Sequence, residues 1–321
     1  MREITVGKDD GGKRLDVFLK KHFPTLPPAL LQKYIRTGRV KLNGQHRPHN
    51  ARLAEGDELR LYIEDGRLEA SAGDDAFFTR FRPNLSLVYE DENLLLADKK
   101  PGIAVHEDET EKTNTLINHI RAYLCQKGEW NPKNESAFAP ALCNRIDRNT
   151  GGIVAAAKNV SALRIFTDKI KNREITKKYL CVVLGRISPA EGRLKCFLLK
   201  DEDKKRVEVY RHPVPGGKTA VTLYRTVQTR GELSLVETEL VTGRTHQIRA
   251  AFAAAGHPLF GDAKYGRWEV NRRYGETRQA LYSFSIRFDF SGGAGMLEYL
   301  RGREFRVERV PFAEKYFPPR A

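Results

Sequence analysis

The chain has 321 residues, with 56 Lys and Arg against 41 Asp and Glu, so its formal net charge is +15. With 40% hydrophobic residues, 16 Phe and 12 Tyr it can bury a sizeable core, which excludes a disordered tail, and it is long enough for two domains of ~150 residues. It has no run near the ~18 apolar residues of a membrane span, no apolar signal-peptide segment, and no C-x-x-C pair among Cys125, Cys143, Cys181 and Cys196, so a soluble cytoplasmic protein with reduced core thiols and no metal site is expected.

Residues 14–23 place Leu15, Phe18, Leu19 and Phe23 at helical spacing, and Pro24 ends the pattern. After Pro27-Pro28 a second helix gathers Leu30, Leu31, Tyr34 and Ile35 on one side, with Gly38 as its stop. Val40-Lys41-Leu42 alternates as a strand into an Asn43-Gly44 turn, and residues 58–63 alternate again. Between Pro28 and Arg52 stand Lys33, Arg36, Arg39, Lys41, Arg47 and Arg52, with His46 and His49 and no acid. Such a window is either a solvated basic face or the footprint of a polyanion. A second cluster, Arg164, Lys169, Lys171, Arg173, Lys177 and Lys178 against Asp168 and Glu174, favours the polyanion. No basic amphipathic helix is apolar enough to prefer a membrane, so the expected partner is nucleic acid.

Residues 12–64 closely resemble the alpha-L RNA-binding motif known from a small-subunit ribosomal protein. The resemblance is carried by Arg14-Leu15-Asp16, Arg36-Thr37-Gly38-Arg39-Val40, Val40-Lys41-Leu42-Asn43-Gly44 and Gly56-Asp57-Glu58-Leu59. It implies that Arg14, Lys33, Arg36, Arg39 and Lys41 meet the phosphates of folded RNA by shape and charge rather than by base reading. Residues 66–83 lose periodicity and gain small and polar residues, as a linker does, which divides the chain into an RNA-binding domain (1–65), a linker (66–83) and a second domain (84–321). Beyond the linker, strands are expected at 85–89, 94–97, 179–184, 220–224 and 233–240, and helices at 116–124, 162–171 and 245–255. Strands outnumber helices without regular alternation, so the expected fold is α+β, a mixed, largely antiparallel sheet with flanking helices.

Two segments carry candidate chemistry. Residues 142–158 set Asp147 between Arg145 and Arg148, just before a Thr150-Gly151-Gly152 turn that opens an apolar strand. An Asp there can cap a turn or serve a reaction. Residues 239–266 contain Thr242-Gly243-Arg244-Thr245-His246-Gln247-Ile248-Arg249, then Gly256-His257-Pro258 and Gly261-Asp262. His246 and His257 read as structural residues, and Arg249 as binding either phosphate or a core-edge acid. Glu90-Asp91-Glu92 point to different sides of a strand or turn, which makes a poor metal-ligand set.

Together with Val88-Tyr89-Glu90-Asp91-Glu92, Lys100-Pro101-Gly102, Asn144–Gly152 and Lys177-Lys178-Tyr179-Leu180, these segments resemble the RluA-type pseudouridine synthases over residues 84–290. The resemblance implies a catalytic aspartate at Asp147, an active-site tyrosine at Tyr179 and a partner arginine for the aspartate at Arg244. It also implies that Arg145 enters the space left by a flipped nucleotide; Ile248, as a pocket-lining residue, and Arg249 are read as further substrate-binding residues. The chain departs from the family pattern at Asn144 for His, Ile146 for Leu, Gly151 for Ser and Tyr282 for His, and Lys-Pro-x-Gly is shortened to Lys100-Pro101-Gly102.

The implied reaction breaks the bond from ribose to N1 of uridine, turns the base and rejoins it through C5, which requires no cofactor. It needs a carboxylate, a weak acid or base, and a pocket that retains the detached uracil. An arginine beside Asp147 favours its charged form, and Tyr179 offers a stacking ring and a phenol. The expected function is a monomeric enzyme isomerising uridines in structured RNA, ribosomal RNA or a precursor particle. The competing readings are a non-catalytic RNA-binding ribosome-assembly factor that retains the fold, and a metal-dependent nuclease, for which the sequence lacks clustered carboxylates.

Overall fold

The computed structural model describes residues 2–23, 26–63, 73–132, 138–201 and 205–318. Two compact units emerge, Met1–Pro83 with Asn118–Pro140, and Asn84–Ile117 with Ala141–Ala321.

The first unit opens with β1 (Arg2–Thr5), followed by helices α1 (Leu15–His22) and α2 (Pro28–Arg36) and strands β2 (Val40–Leu42) and β3 (Glu58–Leu61). The strands form an antiparallel sheet in the order β1-β3-β2. Pro28 sits in the first turn of α2, where a missing N–H costs nothing. Gly38, at φ 71°, then lets the chain turn sharply into β2. Leu15, Phe18, Leu19, Leu31, Tyr34, Ile35, Val40 and Leu42 from these elements share one core with Leu59 and Leu61. Burying each such side chain contributes about 1.5–3 kcal/mol. Strand β1 is too short to announce itself by alternation and owes its conformation to pairing with β3.

The stretch read as a linker holds more structure than its composition indicates. Its residues 66–72 lie outside the described residues, but Gly73–Arg80 forms helix α3. Packing accounts for it: Phe78 meets Trp130 edge-on at 5.1 Å, and Gln126, at the end of α4 (Leu116–Gln126), donates to the carbonyls of Phe78 and Phe81 at 3.0 and 2.6 Å.

In the second unit the order is β4 (Leu87–Glu90), β5 (Leu94–Lys99), β6 (Ala141–Leu142), β7 (Gly151–Ala157), α5 (Val160–Lys171), β8 (Ile175–Leu184), β9 (Glu191–Asp201), β10 (Arg206–Tyr210), β11 (Lys218–Arg230) and β12 (Leu233–Leu240). Then follow α6 (Gln247–Ala254), α7 (Trp268–Tyr274), β13 (Leu281–Phe288), β14 (Glu304–Arg306) and α8 (Pro311–Tyr316). The strands join one 11-stranded sheet along β10-β9-β11-β12-β8-β13-β7-β5-β4, with β14 on β13 and β6 on β7. The β13–β7 pair is parallel and the other described pairs are antiparallel, so the sheet is mixed and largely antiparallel, as expected of an α+β fold. All seven residues of β7 are buried. Phe166 of α5 packs with Leu94, Leu96, Ile153, Ala155 and Phe288 to cover part of this centre.

Strand β10, absent from the strands expected from sequence, sets Val207 and Val209 opposite Lys200 and Leu198 across the hairpin; residues 202–204 lie outside the described residues. Charged residues interleaved with those valines hid the strand. Cys181 and Cys196 are buried, as expected of core thiols, whereas Cys125 and Cys143 are half-buried. Among the described residues no helix is long and apolar enough to cross a membrane.

Candidate active site

Asp147 sits in a turn between β6 and β7, tied down on every side. The Thr150 N–H donates to the Asp147 carbonyl at 3.0 Å, and Gln279 reaches the buried Thr150 hydroxyl at 3.3 Å. The carbonyl of Arg148 accepts from the Gly102 N–H at 2.9 Å and from the Lys99 ammonium at 2.9 Å. Asn144 has a role here: its Oδ1 accepts from the Ala155 N–H at 2.8 Å and ties the approach to the turn onto β7. Gly152 admits no side chain, because a Cβ would lie 2.2 Å from the Ser283 carbonyl oxygen on the paired strand. The Asp147 side chain itself keeps 28% of its surface exposed.

The arginine that grips Asp147 is Arg249, not Arg244. Arg249 Nη1 donates to Asp147 Oδ2 at 2.7 Å, and Nε and Nη2 grip Asp262 at 2.7 and 3.0 Å. Arg244 is exposed, and its Nε donates to the Thr219 carbonyl at 3.2 Å. Helix geometry explains the exchange. Arg244 precedes α6 in a turn organised by Gln247, which accepts from the Arg244 N–H at 3.1 Å and donates to Thr222 and the Val221 carbonyl. Arg249 lies one turn further, on the inward face of the helix. Asp262 is fully buried and also accepts the N–H groups of Lys264 and Tyr265 at 2.8 and 3.1 Å. Burial works against both charges, but their mutual bonds prevail: Asp262 lies below the usual carboxylate range and Arg249 above its ordinary value. The Tyr265 ring lies 5.3 Å from the Arg249 guanidinium.

His246, in the left-handed region at φ 52°, stands just before α6, and its ring bonds the Tyr265 hydroxyl at 3.0 Å rather than the helix N-terminus. Its Nε2 is 3.8 Å from Asp147 Oδ2, and burial lowers its pKa against the pull of Asp147, which favours a neutral ring. Among the described residues no donor bonds Asp147 Oδ1. One carboxylate oxygen is therefore fixed and the other is open.

Tyr179, on β8, is buried within reach of the Asp147 charge. Burial pushes its phenol up to about 12, opposed by a hydrogen bond with Ser283 and reinforced by the charge of Asp147. Lys99, at the end of β5, is 1% exposed and donates to the carbonyls of Lys100, Ile103 and Arg148. Burial lowers it to about 7, with Asp147 opposing. Lys99 thus turns to the site while Lys100, named in the sequence motif, faces solvent. Lys99, Asp262, Tyr265 and Gln247 were not anticipated as site residues. Asp262 and Gln247, each inside a quoted motif, carried a signal; Lys99 and Tyr265 carried none.

Arg145 is exposed two residues from Asp147, and Ile248 is buried in α6. Arg249, expected among the substrate contacts, is committed to two carboxylates. In the first unit Lys33, Arg36 and Arg39 are exposed and Lys41 half-buried, with Arg39 over Tyr34 and Lys41 over Tyr62 at 5.6 and 5.3 Å. No described acid pairs with these four, whereas Arg14 is held by Asp16 at 2.7 Å. The second basic cluster is thinner than its sequence. Lys169 is buried against Glu174 at 2.6 Å and Lys178 pairs with Glu237 at 3.2 Å, which leaves Arg164, Lys171 and Arg173 exposed. No group of three or more His, Cys, Asp and Glu suited to a metal ion occurs among the described residues.

Residues 93–254 match the family model described as RNA pseudouridylate synthase. The chain is 30% identical over 289 residues to the uncharacterized RNA pseudouridine synthase YlyB of Bacillus subtilis, covering 89% of both chains. It is also 30% identical over 292 residues to the ribosomal large subunit pseudouridine synthase C of Vibrio vulnificus, covering 89% of this chain and 87% of the relative. In fold it is similar to human RNA pseudouridylate synthase domain containing 4, with a TM-score of 0.55 at 19% identity over 71% of this chain and 89% of the other.

Proposed function

The chain belongs to the RNA pseudouridylate synthase family, and from that premise we propose that this isomerase acts on specific uridines of ribosomal RNA or a precursor particle, through Asp147 and without a cofactor. The observation that supports it best is the carboxylate of Asp147, with one oxygen locked by Arg249 at 2.7 Å, the other bonded by no described donor, and its charge felt by the buried Tyr179. The ribosomal substrate is suggested by the name of the Vibrio relative.

In this reading the N1–C1′ bond of uridine breaks, a C5–C1′ bond forms, C5 loses a proton and N1 gains one. Nothing is added or lost, so no oxidant or co-reactant enters the balance. Asp147 Oδ1 acts on the sugar or base while Arg249, bonded to Oδ2, fixes the orientation of the carboxylate. Tyr179, protonated at neutral pH with its phenol near 12, orients the detached base. Extracting a uridine from its stack costs a few kcal/mol. Arg145 enters the gap, and Lys33, Arg36, Arg39 and Lys41 supply phosphate contacts. We assign RNA binding to residues 1–65 and catalysis to residues 84–321 of a monomeric, cytoplasmic protein, with 66–83 between them.

The test is to incubate the protein with unmodified ribosomal RNA and map pseudouridine by carbodiimide-block primer extension, alongside Asp147→Asn. Discrete stops are expected with the wild type, and none with the variant, which still binds RNA. Equal modification by Asp147→Asn would refute the role of the carboxylate, and stops on transfer RNA alone would refute the ribosomal substrate.

A further inference from the structure

Gly151 begins β7, four residues after Asp147, and the reason it carries no side chain stands next to it. A Cβ there would lie 2.4 Å from Tyr282 Cε2, 2.6 Å from Tyr282 Cδ2 and 3.2 Å from Pro101 Cδ. The ring has nowhere to go. Tyr282 is 5% exposed, its hydroxyl donates to Asp98 at 2.6 Å, and its ring packs against Phe312 with centroids 6.4 Å apart. In register, Tyr282 faces Gly151 across the parallel β13–β7 pair and Leu180 across β8. The next residue, Ser283, faces Tyr179 across the β13–β8 pair. Tyr282 therefore bridges the strand that carries Tyr179 and the strand onto which the Asp147 turn runs.

We infer that Tyr282 is a positioning residue for the reaction: its pinned ring occupies the space of a side chain at 151 and sets the start of β7, and with it the Asp147 turn, so that residues 151 and 282 can change only as a pair. The inference rests on the reading of Asp147 as the acting carboxylate. Two of the departures from the family pattern, Gly for Ser at 151 and Tyr for His at 282, fall on the two sides of this single contact. Each alone would leave either a clash or a void; together they preserve close packing. The hydroxyl bond to Asp98, at the far end of the ring, prevents the ring from swinging away to admit a larger residue at 151.

The experiment compares Gly151→Ser, Tyr282→His, their double variant, Tyr282→Phe and Gly151→Ser combined with Tyr282→Phe with the wild-type chain, measuring kcat and KM on an RNA that the wild type modifies, together with Tm. Gly151→Ser is expected to lower kcat about 100-fold with KM little changed, the effect of roughly 1 Å of misplacement. Adding Tyr282→His, whose ring is smaller, restores most of that loss and the accompanying loss of Tm. Adding Tyr282→Phe does not, because the clashing ring carbons remain. Tyr282→Phe alone, which loses only the bond to Asp98, lowers kcat while the chain stays folded. Wild-type kcat in Gly151→Ser, or a double variant no better than the product of the singles, overturns the inference. If Gly151→Ser fails to fold, the double variant must fold and convert uridine, and its failure overturns it equally. A wild-type chain that converts no uridine removes the functional reading and this inference together, whereas an active wild type with additive variants removes this inference alone.

Discussion

Replacing Arg249 should damage the protein more than replacing Arg244, although the two stand five residues apart in one motif. Arg249 makes three charge-assisted bonds, at 2.7 Å to Asp147 and at 2.7 and 3.0 Å to Asp262. In Arg249→Met the buried Asp262 keeps only the N–H groups of Lys264 and Tyr265. Removing one member of a buried pair costs about 3–5 kcal/mol. At about 2–4 °C per kcal/mol for a unit of this size, Tm should fall by roughly 6–20 °C. Arg249→Lys, a point charge that serves one carboxylate at a time, should lose about half as much. Released from Nη1, the Asp147 carboxylate loses its fixed orientation, and kcat should fall about 100-fold. Arg244→Ala removes an exposed guanidinium bonded to one carbonyl and should change stability by no more than about 0.5 kcal/mol. The pH dependence provides a second check. The folded pKa of Asp262 lies below its unfolded value, so its pairing stabilises the wild type above the ordinary carboxylate range and that stability is lost as pH falls through the folded value. In Arg249→Met the guanidinium no longer opposes burial and only the two backbone N–H groups remain, so the Asp262 pKa rises and the deficit against wild type should shrink as pH is lowered from neutrality. Calorimetry across pH and single-turnover kinetics on RNA measure both effects. Wild-type Tm and kcat in Arg249→Met, or a deficit that grows on acidification, would refute the reasoning.

Three further outcomes follow from the same geometry. Tyr179→Phe removes the buried hydroxyl and should lower kcat at least tenfold with RNA affinity kept; because burial holds the phenol at about 12, a limb near pH 10 present in the wild-type kcat profile and absent from the variant would contradict the assignment. Burial lowers Lys99 to about 7, below its unfolded value, so the wild type should gain stability as pH rises above 7, and Lys99→Met should abolish that gain; parallel stability curves for the two proteins would count against it. Replacing Lys33, Arg36 and Arg39 together by Gln should reduce the slope of log Kd against log salt by about 2, at ~0.7 per phosphate, and an unchanged slope would show that these side chains do not meet RNA.

Local pattern determined much of this protein. Helical spacing of Leu15, Phe18 and Leu19, and of Leu30, Leu31, Tyr34 and Ile35, marked α1 and α2, because an amphipathic helix repeats its buried face within a few residues. The apolar run after the Thr150-Gly151-Gly152 turn likewise marked the strand β7, which the fold buries on both faces. Asp147 stood out between two arginines before a glycine turn, and motif resemblance named Tyr179. Short or pairing-dependent elements stayed hidden: β1 and β10 take their form from partner strands, and α3 from Trp130 and Gln126. The same limit applied to the site. Which arginine reaches Asp147 depends on where α6 begins and which way it faces, and no spacing in the sequence reveals that Asn144, Lys99 and Asp262 converge on one turn. Residue type and local periodicity are properties of a segment, whereas charge partners and close approaches such as Tyr282 on Gly151 are made by strands and helices far apart in the chain. The candidate chemistry was therefore legible in sequence, and its electrostatic support was decided by tertiary structure.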